Sequence, residues 1–170
     1  MRLGLTQDQQ QVPRSASDMP PPSAALTTKE IPYDYVAKFV LTGRPSTRVQ
    51  DVINISIEGA FVAATIGYSF IPLFKGEGSL NDRLIDFKYS IVDSGSGREL
   101  QNRPIHNIAG LGDATGRRPF RHLAKPMLFM PRSTVRIEIE ELSGGPLYAG
   151  AELQIVLHGY KILGYGTGLS

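Results

Sequence analysis

The sequence predicts an all-β protein: a β-sandwich of jelly-roll type, with a β-barrel as the alternative, preceded by an extended N-terminal arm. Three observations carry this reading. Apolar and polar residues alternate with a period of two in several separate stretches, short joints rich in glycine, proline and serine divide those stretches, and no segment shows a sustained 3.6 period.

In chain order, residues 1–30 form the arm. Gln7, Gln9, Gln10 and Gln11 lead to Pro13 and the triplet Pro20, Pro21, Pro22 with almost no large side chains, so the segment has too little apolar surface to offset the entropy of ordering. Its charges cancel, Arg2, Arg14 and Lys29 against Asp8, Asp18 and Glu30, which argues against a basic tail for nucleic acid. Two readings stand: a loose terminus or linker, and an arm that becomes ordered against a neighbouring subunit. Proline favours the second slightly, because a chain pre-set near polyproline II loses less entropy on docking.

Residues 31–170 read as one domain. A first strand is expected at 33–42 and a second at 52–58, where Ile53, Ile55 and Ile57 share one face and Asn54, Ser56 and Glu58 the other. Residues 60–70 follow, then 84–92 with Ile85, Phe87, Tyr89 and Ile91 inward. Strands at 126–130 and 134–141 come next, the latter with Val135, Ile137 and Ile139 inward. Residues 147–157 alternate Leu147, Ala149, Ala151, Leu153, Ile155 and Leu157 against Tyr148, Glu152 and Gln154, and a last strand lies near 160–163. Joints fall at 42–46, 93–97 and 143–146. The single helical hint, Leu80 to Arg83, is weak. A patternless stretch from about Leu100 to Pro119 is longer than an ordinary connection, the kind of loop that carries function or an interface.

Composition bounds the function. The chain has 170 residues, 41% hydrophobic and 20% charged, with a net charge of +2, which fits one globular domain. Without cysteine, disulfide scaffolds, zinc fingers, iron–sulfur clusters and thiol nucleophiles are excluded. The first thirty residues lack the apolar run of a secretory signal, so export by that route is not expected. The most apolar stretch, Gly59 to Phe74, is too short to span a bilayer as a helix and reads as buried strand; no membrane partner is expected.

Catalytic equipment is not evident. The loop Gly110 to Arg118 is glycine-rich and ends on two arginines, but it lacks the ending of a P-loop and no helix pattern follows, so it reads as a surface loop. Glu138 and Glu140 share a strand face with Arg136, the mark of a solvated, charge-mixed surface more than of an acid/base pair. His106, His122 and His158 are too scattered for a metal motif, and no nucleophile elbow or nucleotide fingerprint is present. The expectation is therefore no enzyme, no catalytic or metal-binding residues and no cofactor.

Charge is unevenly spread. From Arg98 to Arg136 eight basic residues stand against Glu99 and Asp113, after which Glu138, Glu140, Glu141 and Glu152 outnumber Lys161. A basic loop region and an acidic strand region suit head-to-tail pairing of copies, or docking on an acidic neighbour. Nucleic acid is the rival partner, disfavoured because prolines break up the basic run and no aromatic platform accompanies it. The expected contact residues are the arm, with Pro20, Pro21 and Pro22, and the basic loop with Arg117, Arg118 and Arg121.

Three segments, Arg118 to Arg121 (RPFR), Ala124 to Ile139 (AKPMLFMPRSTVRIEI) and Ala151 to Lys161 (AELQIVLHGYK), together with NRPIHNIAGLGDATG at 102–116, resemble virion structural proteins of tailed bacteriophages. The resemblance covers roughly residues 31–165 and implies a β-sandwich in the shell, neck or tail. It implies a homo-oligomer, trimeric if it decorates a capsid, partnered by the major capsid protein or other virion proteins. The protein is then made in the host cytoplasm and resides in the virion. A different class, a carbohydrate-binding jelly-roll attachment module, would need exposed aromatics; the candidates are Tyr33, Tyr35, Tyr148, Tyr160 and Tyr165. An enzyme would need the three histidines to converge with a carboxylate.

Overall fold

The structure, a computed structural model, describes residues 28–73, 85–112 and 119–164. Among the described residues the chain forms nine strands and one short helix: β1 Lys29–Val40, β2 Arg48–Asn54, β3 Gly59–Ile71, β4 Phe87–Asp93, β5 Arg98–Glu99, β6 Ile105–His106, α1 Asn107–Gly110, β7 Phe120–Phe129, β8 Thr134–Glu141 and β9 Glu152–Leu163. They build two antiparallel sheets that face each other. The first has the order β1-β9-β3-β7; the second has β2-β8-β4-β5, with β6 also pairing with β4. Neither closes on itself, so the barrel alternative is set aside. The arm's Pro20, Pro21 and Pro22, the helical hint at 80–83 and the loop arginines Arg117 and Arg118 lie outside the described residues.

Alternation puts the expected residues in the core. Ile85, Phe87, Tyr89 and Ile91, then Val135, Ile137 and Ile139, then Leu153, Ile155 and Leu157, are all buried between the sheets. Phe39, Phe61 and Phe129 join them, each fully buried side chain contributing about 1.5–3 kcal/mol.

Several boundaries differ from the sequence reading. The second strand begins at Arg48 and ends at Asn54, and Ile57 is 54% exposed. Its chain has already turned: the Ser56 amide donates to the Tyr35 hydroxyl and the Glu58 amide to the Ser56 hydroxyl. Leu147 and Ala149 sit in a turn held by Gly145 and Gly150 at positive φ, with the Gly145 amide donating to the Gly43 carbonyl. The last two expected strands fuse into the continuous β9, which pairs with β1 and β3 along its whole length. Strand β7 begins six residues early, at Phe120, and accommodates Pro126 because it is an edge strand opposite a bulge at Ala64.

Two buried polar side chains close one end of the sandwich, where Phe87 of β4 pairs with Glu141 of β8. Glu141 is 3% exposed. Its carboxylate accepts from the Thr42 amide at 2.8 Å, the Thr42 hydroxyl at 3.0 Å and the Gly43 amide at 2.9 Å, tying the β1–β2 turn to β8. Asn107, at the start of α1, donates to the Ile85 carbonyl and the Tyr68 hydroxyl and accepts from the Phe87 amide. The long stretch before β7 thus serves partly as a plug: its own Asn107 and Leu111 are fully buried.

Replacing Glu141 by alanine strands three donors in a low-dielectric site, so it is expected to lower stability by about 2–4 kcal/mol. Glu141→Gln, which keeps one acceptor oxygen, is expected to cost less, and urea denaturation of the two variants checks the order.

Candidate interaction face

The two sheets present unlike outer surfaces. On the second sheet, Arg48, Glu140 and Lys88 stand side by side on β2, β8 and β4. Arg48 reaches Glu138 and Glu140 at 3.6 and 3.5 Å, and Lys88 reaches Glu140 at 3.8 Å. These exposed pairs contribute little to stability, about 0–1 kcal/mol each, but they neutralise Glu138 and Glu140 within the chain. With Glu141 buried as well, Glu138, Glu140 and Glu141, three of the four glutamates of the expected acidic region, have partners within the chain.

The first sheet is different because β9 and β3, its central strands, carry apolar residues on both faces. Strand register arranges the outer side chains in rows across the sheet. One row is Pro32, Tyr160, Val62 and Leu128, and the next but one is Val36, Val156, Gly67 and Phe120. Val36, Leu128 and Phe120 are 40%, 45% and 52% exposed. Beyond these rows the outer positions turn polar at one end, with Lys38, Gln154 and Ser69 in the next row and Glu152 between Val40 and Ile71; at the other end Glu30 stands beside Ile162, and Ala60 is fully buried.

Between the two apolar rows runs a polar one: Asp34, His158, Thr65 and His122. His158 Nδ1 lies 3.1 Å from Asp34 Oδ1. The Phe120 ring folds down over Gly67, where a Cβ would meet it at 2.7 Å, and packs edge-on against His158 with centroids 4.4 Å apart. His158 Nε2 is buried there and has no hydrogen-bond partner among the described residues. Sequence reasoning missed this face, since a period of two marks a strand without saying which neighbours its outward residues join.

Of the expected contact residues, Arg121 is described. It lies exposed on β7, but its Nη1 donates to the Ala109 carbonyl, binding the edge strand to α1. Burial pushes the Tyr89 phenol above its ordinary value of 10.0, with the nearby Arg121 guanidinium and a hydrogen bond to Gln101 pulling the other way.

The histidines do not meet: His106 pairs with β4 in the second sheet and lies 3.7 Å from Asp86, while His122 and His158 are on the outer face of the first. Nor do the tyrosines form one groove. Tyr33 and Tyr35 gather at one end of the first sheet around Lys161, a buried lysine whose ammonium is 3.6 Å from the Tyr33 ring centroid and 3.8 Å from Glu58. Tyr148 packs on Phe70 at the other end, and Tyr160 stands on the outer face. Tyr165 lies outside the described residues.

No family model matches the chain, and no curated protein matches it. Solved structures with a similar course include a protein from Sulfurospirillum deleyianum, 8% identical, covering 79% of this chain and 99% of that chain at a TM-score of 0.35. Another, of Desmodium yellow mottle tymovirus, is 12% identical and covers 95% and 98% at a TM-score of 0.26. A third, of infectious bursal disease virus, is 12% identical and covers 80% of this chain and 36% of that chain at a TM-score of 0.30. Likeness at this level leaves function to be argued from the chain's own surfaces.

Because folding raises the Tyr89 pKa, the folded state holds that proton more tightly than the unfolded chain does. The corresponding stability is present below about pH 10 and is lost as pH rises from there through the folded value. Tyr89→Phe is expected to flatten the alkaline decline seen in urea unfolding at increasing pH, and Arg121→Ala to raise the Tyr89 pKa further.

Proposed function

We propose that this chain is a non-enzymatic structural subunit of a bacteriophage virion, a capsid decoration or cementing protein that works as a homo-oligomer and seats on the major capsid protein or another virion protein. The observation that carries the reading is the outer face of the first sheet. Apolar rows that run across four strands and open to water at the edge strands, through Val36 on β1 and Phe120 and Leu128 on β7, opposite a sheet whose outer surface is charged and internally paired, favour burial against another protein.

Strand order supports the same reading. If the two-residue strands β5 and β6 count as one interrupted strand, the sheets run 1-8-3-6 and 2-7-4-5 in chain order, the arrangement of a jelly roll, an architecture that capsid proteins use. The sequence resemblance to tailed-phage virion proteins points the same way, and the arm gives each subunit a tether to its neighbours.

Light scattering on the full chain is expected to give one defined multimer. Removing residues 1–28, which leaves β1 intact, is expected to weaken association at least about tenfold, or ~1.4 kcal/mol, without unfolding the sandwich. A full chain that stays monomeric at high concentration overturns the reading.

A further inference from the structure

We propose that the outer face of the first sheet is covered by a second copy of this chain, sheet against sheet, about a two-fold axis running along the strands. This rests on the assembly reading above and names its contact surface.

Size favours a second copy. The strands of the face hold 12, 12, 13 and 10 residues. At a rise of about 3.3 Å and a spacing of about 4.8 Å they present roughly 750 Å², close to the ~800 Å² per partner of a standard interface. The chain's own arm is a poorer cover, since glutamine, proline, serine and alanine dominate residues 1–27 and large apolar side chains are few.

The row pattern sets the orientation. Rotation about an axis along the strands lays β1 over β7 and each row over its own copy. The row of Val36, Val156, Gly67 and Phe120 then meets itself, as does that of Pro32, Tyr160, Val62 and Leu128. Asp34 comes to lie opposite His122 of the second copy. Its Oδ1 is taken by His158, and its other oxygen accepts from the incoming imidazole. An axis across the strands, centred on the polar row, instead sets Asp34 against Asp34 and His158 against His158, stacking like upon like.

Because the chain has no cysteine, introduced thiols report unambiguously. Full-length Asp34→Cys and His122→Cys chains are mixed and treated with a short bis-maleimide. Position 34 of one copy and 122 of the other stand about 10 Å apart in the proposed dimer, whereas 34 to 34 exceeds ~15 Å. The mixture is expected to yield crosslinked dimer and each variant alone to yield little. Leu128→Glu is expected to weaken association about a hundredfold, and Val52→Glu, on the second sheet, to change it less than about threefold.

Crosslinking of Asp34→Cys with itself overturns the orientation. Association that persists without the mixed crosslink and ignores Leu128→Glu overturns the proposed contact while leaving the assembly reading in place. Association lost with residues 1–28 yet indifferent to Leu128→Glu gives the face to the arm and likewise overturns it. A full chain monomeric at all concentrations removes both.

Discussion

The pairing of β9 with β1 on one side and β3 on the other is the constraint on which the molecule depends. Twelve residues of β9 are laddered to both neighbours, so a single register decides which side chains enter the core and which line the outside. Leu153, Ile155 and Leu157 fall inward and are completely buried. Val156, Tyr160 and Ile162 fall outward. A slip of one residue would exchange the two sets and turn Glu152, Gln154 and His158 toward the core, so polarity helps to fix the register. Close backbone approaches help to do so: a Cβ at Gly59 would meet the Ile162 carbonyl oxygen at 2.2 Å, and one at Gly159 the Val62 carbonyl oxygen at 1.8 Å. Only glycine fits at these points.

The charged partners are placed with the same economy. Glu141 and Asn107 are buried where backbone donors and acceptors need them, at turns where the chain passes between sheets. The remaining acidic residues of β8 are matched by Arg48 and Lys88. What is left open to water is the apolar face, together with a polar row in which Asp34 and His158 satisfy part of each other's hydrogen-bonding capacity. A surface of this kind is mildly unfavourable in isolation and favourable once covered, which couples stability to assembly.

Much of the fold was legible because alternation reports directly on pleated, one-sided burial. Val135, Ile137 and Ile139 are buried as the pattern of β8 requires, and Phe87, Tyr89 and Ile91 likewise. What local pattern does not contain is long-range pairing. Glu141 reads as one more acidic residue because its donors, Thr42 and Gly43, lie 99 and 98 residues away. Strand β7 was foreshortened because Lys125 and Pro126 break its alternation at the bulge. The interaction face was invisible for the same reason: Val36, Val156 and Leu128 become one surface only after β1, β9, β3 and β7 are set side by side. The arm and the basic loop, the first candidates from sequence, lie largely outside the described residues, and Arg121 is drawn into a contact with α1.

The central claim, that the outer face of the first sheet is where copies of the chain meet, is tested most directly by residue-resolved hydroxyl-radical labelling of the full chain over a concentration series. The account predicts that Val36, Phe120 and Leu128 become progressively protected as concentration rises while Val52, on the second sheet, stays equally reactive. Protection of Val52 with Val36, Phe120 and Leu128 unchanged, or no change anywhere, would contradict it.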